Sequence, residues 1–163
     1  MKRAKPIALC GMLAALSIVL MVLGAALEIG MYAAPMLAGL CLLPVGRKYG
    51  KGYQATMWAA VSILSLLLVS EPEASLLYLG VFGCYPVIRP FFGRLPKGLA
   101  LAGKLVYFNI VTVALELLLI RLLVPESMEA GFAAVLLLLG NVVFLLYDFL
   151  IPLAERKLAR LLP

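Results

Sequence analysis

The stretch GCYPVIRPFFGRLPKG, residues 83–98, decides how this chain is read. An almost uncharged run ends at Tyr85-Pro86. Arg89, Arg94 and Lys97 follow, with Pro90 and Pro96 among them. One explanation must cover both why the apolar run stops and why it stops in cations. Of 163 residues, 65% are hydrophobic and 13% charged, against about 45–50% apolar and about 25% charged in a soluble domain. That leaves too little polar surface to coat a water-soluble globule, so lipid is the solvent for most of the chain.

Working outward from this stretch, six apolar runs cover residues 7–27, 31–45, 53–70, 75–88, 99–124 and 131–151. A spanning helix needs about 20 apolar residues, because the hydrocarbon core is ~30 Å thick and each residue rises ~1.5 Å. The runs are continuous rather than alternating, which predicts helices and not barrel strands. Runs two and four reach only about 21–23 Å if helical. By length alone they are tilted spans, locally thinned spans or re-entrant segments.

The charges between the runs favour spans. Lys2, Arg3 and Lys5 precede run one and Glu28 follows it. Arg47, Lys48 and Lys51 follow run two, and Glu71 and Glu73 follow run three. Arg89, Arg94 and Lys97 follow run four, Glu126 and Glu129 run five, and Arg156, Lys157 and Arg160 run six. The sign alternates at every crossing, and short loops rich in Lys and Arg stay in the cytoplasm. Of the 14 cations, all but Arg121 then fall on one side. The expected fold is an all-α integral membrane protein. It is one domain over residues 1–163, a six-helix transmembrane bundle with N- and C-termini cytoplasmic. Residues 83–98 are its second cytoplasmic turn: Pro86 and Pro90 help end the helix, Tyr85 sits near the interface, and the cations hold the loop inside.

That placement removes other readings of the +6 charge. The cations flank spans instead of forming a nucleic-acid patch, and their partners are membrane lipids, with about 1 kcal/mol per well-placed cation against anionic headgroups. Run one begins basic and carries Gly24-Ala25-Ala26, as a signal peptide does. Its apolar length exceeds a signal's ~7–15 residues, so it is expected to stay as the first helix. Cys10, Cys41 and Cys84 have no CxxC spacing and are odd in number, so they read as reduced, small apolar residues. The chain has no histidine, which removes His-based triads and zinc hydrolysis of the HExxH type. No P-loop, nucleophile–base pair or metal cluster emerges. The expectation is no enzyme, no cofactor and no metal.

Four small residues, Ala4, Ala8, Gly11 and Ala15, share one face at the basic end of run one. Such faces let helices approach closely in lipid, against this protein's own helices or against a partner. Glu116, two turns before the far end of run five, is the most costly residue: a mid-bilayer carboxylate costs at least ~2.5–3.5 kcal/mol on insertion scales. Arg121 lies five residues on and does not share its face well. Glu116 is either a structural or snorkelling carboxylate or a contact for a ligand entering from outside. Asn109 and Asn141 are deep amides whose default role is interhelical hydrogen bonding at about 0.6 kcal/mol. Asp148 reads as an interfacial anchor near Arg156 and Lys157. Tyr32, Glu71, Glu73 and Tyr78 sit at the outer surface, and residues 28–32 are a plain turn or a lid.

The segments ALCGMLAALSIVLMVLG (8–24), EASLLYLGVFGCYPVIRP (73–90) and KLVYFNIVTVALELLL (104–119), with six short-looped helices and a small-residue stripe, resemble the substrate-binding S components of energy-coupling factor (ECF) transporters. A group of Firmicutes membrane proteins placed near that superfamily is also similar. The resemblance implies a bacterial plasma-membrane protein that captures a vitamin-like solute in an outer pocket formed by helices four to six and the loop joining helices one and two. It also implies delivery through a membrane T component driven by two cytoplasmic ATPases. The family's alanine motif falls on Ala4, Ala8, Gly11 and Ala15, with Gly replacing one member. The pocket of this reading would take Tyr78, Glu116, Arg121 or Asn141. The alternative is a small membrane scaffold or partner subunit with a filled interior and no solute site. A proton-coupled carrier using Glu116 is weaker, since six helices without paired half-repeats offer no alternating-access machine.

The sign pattern makes a direct prediction. In a variant whose native cysteines are replaced by alanine, Glu73→Cys reacts with a membrane-impermeant maleimide in intact cells and Lys48→Cys does not. Equal labelling of the two would end the alternating topology.

Overall fold

The structure, a computed structural model, describes residues 4–27, 32–122 and 130–161; side chains at 97, 120–122, 130–136 and 161 lie outside the description. The described residues form helices and contain no strand: α1 (Ala4–Ala26), α2 (Ala33–Leu40), α3 (Leu43–Tyr49), α4 (Lys51–Leu68), α5 (Pro72–Leu77), a π turn (Tyr78–Phe82), α6 (Tyr85–Phe92), α7 (Lys97–Leu122) and α8 (Ala130–Leu161). Among the described residues, four stretches are long and apolar enough to cross a membrane: Ala4–Ala26, Pro72–Phe92, Gly98–Leu119 and Leu137–Arg160. The protein is therefore an all-α protein of the membrane type. Glu28, Glu126 and Glu129, three of the acids in the sign pattern, lie outside the described residues, as do Lys2, Arg3 and positions 28–31 of the expected turn or lid.

The short second run is two helices rather than one. Pro44 has no N–H for the carbonyl of Leu40, so the α-helical ladder breaks there. The chain tightens through Cys41 and Leu42, whose N–H groups reach back three residues to Ala38 and Gly39. One residue then joins α3 to α4: Gly50, at φ 92°, in a region that side chains other than glycine rarely enter. The fourth run is longer than its apolar core. It begins at Pro72, where a proline fits the first helical turn, and continues to Phe92 as one interrupted rod. The sixth run continues past residue 151 to Leu161. Pro152 costs it only the bond to the Asp148 carbonyl, and the Glu, Arg, Lys and Leu residues beyond are good helix formers.

The 72–92 rod lies at the centre and contributes to both core clusters. Val81, Phe82 and Tyr85 pack with Phe108, Phe144, Tyr147 and Ile151. Tyr78 packs on the other side with Met21, Leu42, Val45, Met57 and Val61. Aromatic contacts knit the first cluster: Phe108 stacks on Phe144 at 4.9 Å, and Tyr85 meets Phe144 edge-on at 4.8 Å. Helix α1 packs along α2 and α4: Pro6, Ser17 and Met21 are buried, and Leu13, Ala14 and Ile18 are partly covered by the second cluster, while its other face is exposed.

The π turn is the main irregularity. The N–H of Gly83 bonds the carbonyl of Tyr78 at 2.7 Å, one residue further back than in an α-helix. Pro86 then has no N–H for the carbonyl of Phe82. Three carbonyls along this stretch are met from three other helices. Trp58 Nε1 of α4 donates to Leu79 at 3.1 Å, Tyr107 Oη of α7 donates to Gly80, and Tyr147 Oη of α8 donates to Phe82 at 2.7 Å. Gly39 of α2 allows the last contact, because a Cβ there would run into the Phe82 carbonyl and the Tyr147 hydroxyl.

Tyr147→Phe keeps the ring and removes only the donor. A buried carbonyl left unpaired costs about 1–3 kcal/mol. The variant is expected to melt at a lower temperature in detergent than the parent; an unchanged midpoint would show that the Phe82 carbonyl does not need Tyr147.

Candidate functional site

Charged groups sort to opposite ends of the bundle. At one end, Arg47 of α3 donates from Nη1 to the backbone carbonyl of Glu155 at 3.0 Å, and Arg89 of α6 lies 3.7 Å from the Glu155 carboxylate. Lys51 and Arg94 line one groove there, of about 420 Å³, with Phe91 and Phe92 as its apolar wall. At the other end, Tyr32, Glu73, Thr112 and Glu116 converge. Helix α7 spans the distance between them: Lys104 to Glu116 is about 18 Å along a helix at 1.5 Å per residue.

The register of α7 against α8 explains most of the deep polar groups. Lys104 pairs with Asp148, Phe108 with Phe144, and Asn109 with Asn141. Residue numbers rise on one helix as they fall on the other, so the two are antiparallel. The Asn pair is reciprocal, with two bonds of 2.9 Å, and each amide also donates to the carbonyl four residues back, Leu105 or Leu137, at 2.8 Å. Asn141 is thus occupied by Asn109 rather than turned toward a pocket.

Asp148 differs from its expected role. Arg156 and Lys157 lie further along α8 and are exposed. The carboxylate instead accepts from Lys104 Nζ at 2.7 Å, Arg89 Nε at 3.1 Å and Tyr85 Oη at 2.5 Å. Its side chain is only 18% exposed, and that of Lys104 17%. The sequence carried a signal for this: a lysine inside an apolar run needs a partner at its own depth, and the antiparallel register supplies Asp148.

Four residues were expected as solute contacts, and they do not converge. Glu116 reaches the slot at the acidic end. Tyr78 is fully buried in the core, and its hydroxyl has no partner among the described residues. Asn141 is paired as above. The Arg121 side chain lies outside the described residues. The slot draws instead on Tyr32, just before α2, on Glu73 of α5, and on Thr112 of α7, walled by Leu76, Leu77, Leu115 and Leu119. Sequence reasoning passed over Thr112, although it stands four residues before Glu116 and so on the same helical face. The cavity volume is about 10 Å³, room for one water-sized group.

The small-residue stripe faces away from the bundle. Ala4, Ala8, Gly11 and Ala15 are all exposed, and a Cβ added at Gly11 would meet nothing within 4 Å. Packing against the protein's own helices, one of its two expected roles, is not what the structure shows. Gly11 also borders an apolar groove of about 310 Å³ between α1 and α4, with Ile7 and Cys10 on one wall and Tyr53, Thr56 and Met57 on the other. Among the described residues, no group of three or more His, Cys, Asp or Glu side chains is arranged to hold a metal ion.

With this geometry in hand, comparison with family models, curated proteins and solved structures gives no match. What stands on the protein's own features is its class: an all-α membrane protein with an acidic slot at one end, a cation–carboxylate network at the other, and an unpartnered small-residue face.

The network yields a prediction. Removing one partner of a buried ion pair costs about 3–5 kcal/mol. Asp148→Asn, which strands both Lys104 and Arg89, is expected to lower the melting temperature in detergent much more than Lys104→Met, which leaves Arg89 and Tyr85 on the carboxylate. Equal effects would mean that the two cations are not sharing Asp148.

Proposed function

We propose that this chain is the solute-capturing subunit of an ATPase-driven importer of the energy-coupling factor kind. In this reading it crosses a bacterial plasma membrane six times, with both termini in the cytoplasm. The paired helices α2 and α3 and the 18-residue α4 make the two crossings beyond the four long apolar stretches. The basic end then faces the cytoplasm, and the slot of Glu73, Thr112 and Glu116 faces outward. A small solute enters there, and the subunit docks on a membrane T component that two cytoplasmic ATPases drive.

The observation that carries this reading is the exposed face of Ala4, Ala8, Gly11 and Ala15. Lipid needs no small residues, whereas a helix approaching closely does. A face of this kind with no described helix of its own chain against it fits a partner better than lipid. It lies at the basic end, where a cytoplasmic motor would act.

A second reading, a membrane scaffold without a solute site, is favoured by one observation: the slot has a volume of only about 10 Å³, and Tyr78 and Asn141 are committed inside the bundle. Two measurements separate the readings. Co-expression with a T component and its two ATPases is expected to give a complex that the wild-type chain joins and Gly11→Leu does not, while Gly11→Leu alone melts as the parent does, because that side chain enters open space. A thermal-shift screen against vitamins is expected to give a ligand. A complex without any ligand supports the scaffold, and failure of both removes the importer.

A further inference from the structure

The slot at the acidic end holds an unusual set of groups. Two carboxylates line it, Glu73 from α5 and Glu116 from α7. All ion pairs among the described residues gather on Asp148 and Glu155 at the opposite end. Neither Glu73 nor Glu116 therefore has a described cation within ion-pair distance. Two carboxylates among leucines, with no described cation beside them, are costly, and burial of charge is normally compensated by a paired cation.

Thr112 gives an independent indication. It is 7% exposed, it lines the slot, and its hydroxyl has no hydrogen-bond partner among the described residues. A threonine inside a helix commonly turns its hydroxyl back to the carbonyl one turn earlier, and Ser17 of this chain does so to Leu13 at 2.9 Å. Thr112 makes no such bond. Beside two carboxylates, which can take its proton, that buried hydroxyl offers its lone pairs as a further acceptor in an acceptor-rich site. The complementary ligand has donors, positive charge and no acceptor, as an ammonium group has: three donors and none to accept.

Size narrows the class. A volume of about 10 Å³ admits one group the size of water. A primary ammonium is of that size, and a quaternary ammonium is not. Two carboxylates fall short of the 6–8 oxygen ligands that calcium takes, and no metal-holding cluster is present among the described residues. Leu76, Leu115 and Leu119 give the slot apolar walls suited to a carbon chain. We propose that the slot binds a primary ammonium group carried on an apolar chain, with Glu73 and Glu116 as counter-charges and Thr112 as a neutral acceptor. This rests on the solute-capture reading and names its substrate class: a small primary amine.

The test uses the purified full-length chain in detergent at fixed ionic strength, with n-butylammonium, tetramethylammonium and butyrate as probes. Butylammonium is expected to raise the melting temperature saturably, while tetramethylammonium and butyrate match sodium chloride. Glu116→Gln and Thr112→Val are each expected to weaken the butylammonium effect at least tenfold in midpoint concentration, with Glu116→Asp in between. Should Glu116→Gln not fold, Glu73→Gln gives the same readout. A butylammonium response equal to that of salt, or one that survives in the folded Gln variant, overturns the proposal. A parallel panel of biotin, riboflavin and folate separates the two levels. If one of these binds and butylammonium does not, solute capture stands and the amine class falls. If nothing binds, both fall.

Discussion

Backbone carbonyls in lipid must find donors within the protein, because the hydrocarbon supplies none. The rest of this fold is arranged around one breach of that constraint. The π turn at Tyr78–Phe82, together with Pro86, takes carbonyls out of the helical ladder in the most buried rod of the molecule. Trp58, Tyr107 and Tyr147 supply the missing donors. Each is long enough to reach across a helix–helix gap and apolar enough to lie in the core while doing so. Three helices are thereby fixed to one turn by direction-sensitive bonds, where apolar packing alone would let them slide.

The second organising element is the antiparallel match of α7 and α8. One register sets the Lys104–Asp148 pair, the Phe108–Phe144 stack and the Asn109–Asn141 exchange. Polar groups that would each be a burden in lipid cancel in pairs at matched depth. Glu116 continues the α7 series toward the acidic end without a described partner, and this separates the slot from the structural polar groups below it. The contrast makes the slot the better candidate for an exchangeable ligand: satisfied pairs rigidify a bundle, and an unsatisfied group is where something else can bind.

Much of this was legible in the sequence. Composition and run length gave the helical class; of the alternating charges, Glu28, Glu126 and Glu129 fall outside the described residues, and the acids Asp148 and Glu155 stand among the cations. Pro86 and Pro90 read as the end of a helix, yet the rod runs through both to Phe92, and the break at Pro44 went unread because hydropathy is blind to a missing N–H. The site was less legible. Tyr78 and Glu116 were grouped because both sat near one end in a linear reading. Facing, not depth, decides contact, and Tyr78 turns into the core with Met21, Leu42 and Met57. Asp148 was matched to cations nearby in sequence, whereas its partners come from α6 and α7. Thr112 was missed because a lone threonine in an apolar run carries no charge signal. Its significance appears only when its hydroxyl is seen to lack a partner.

The three donors to the π turn are spread unevenly along the chain. Trp58 is synthesised before the rod it serves, Tyr107 after it, and Tyr147 last. Until α7 is made the nascent rod has one of its three clasps, and until α8 is made it has two. The bundle therefore cannot lock until its final helix has been inserted. A chain released early, lacking α8, would be an unlatched intermediate that membrane quality control could recognise by that open turn.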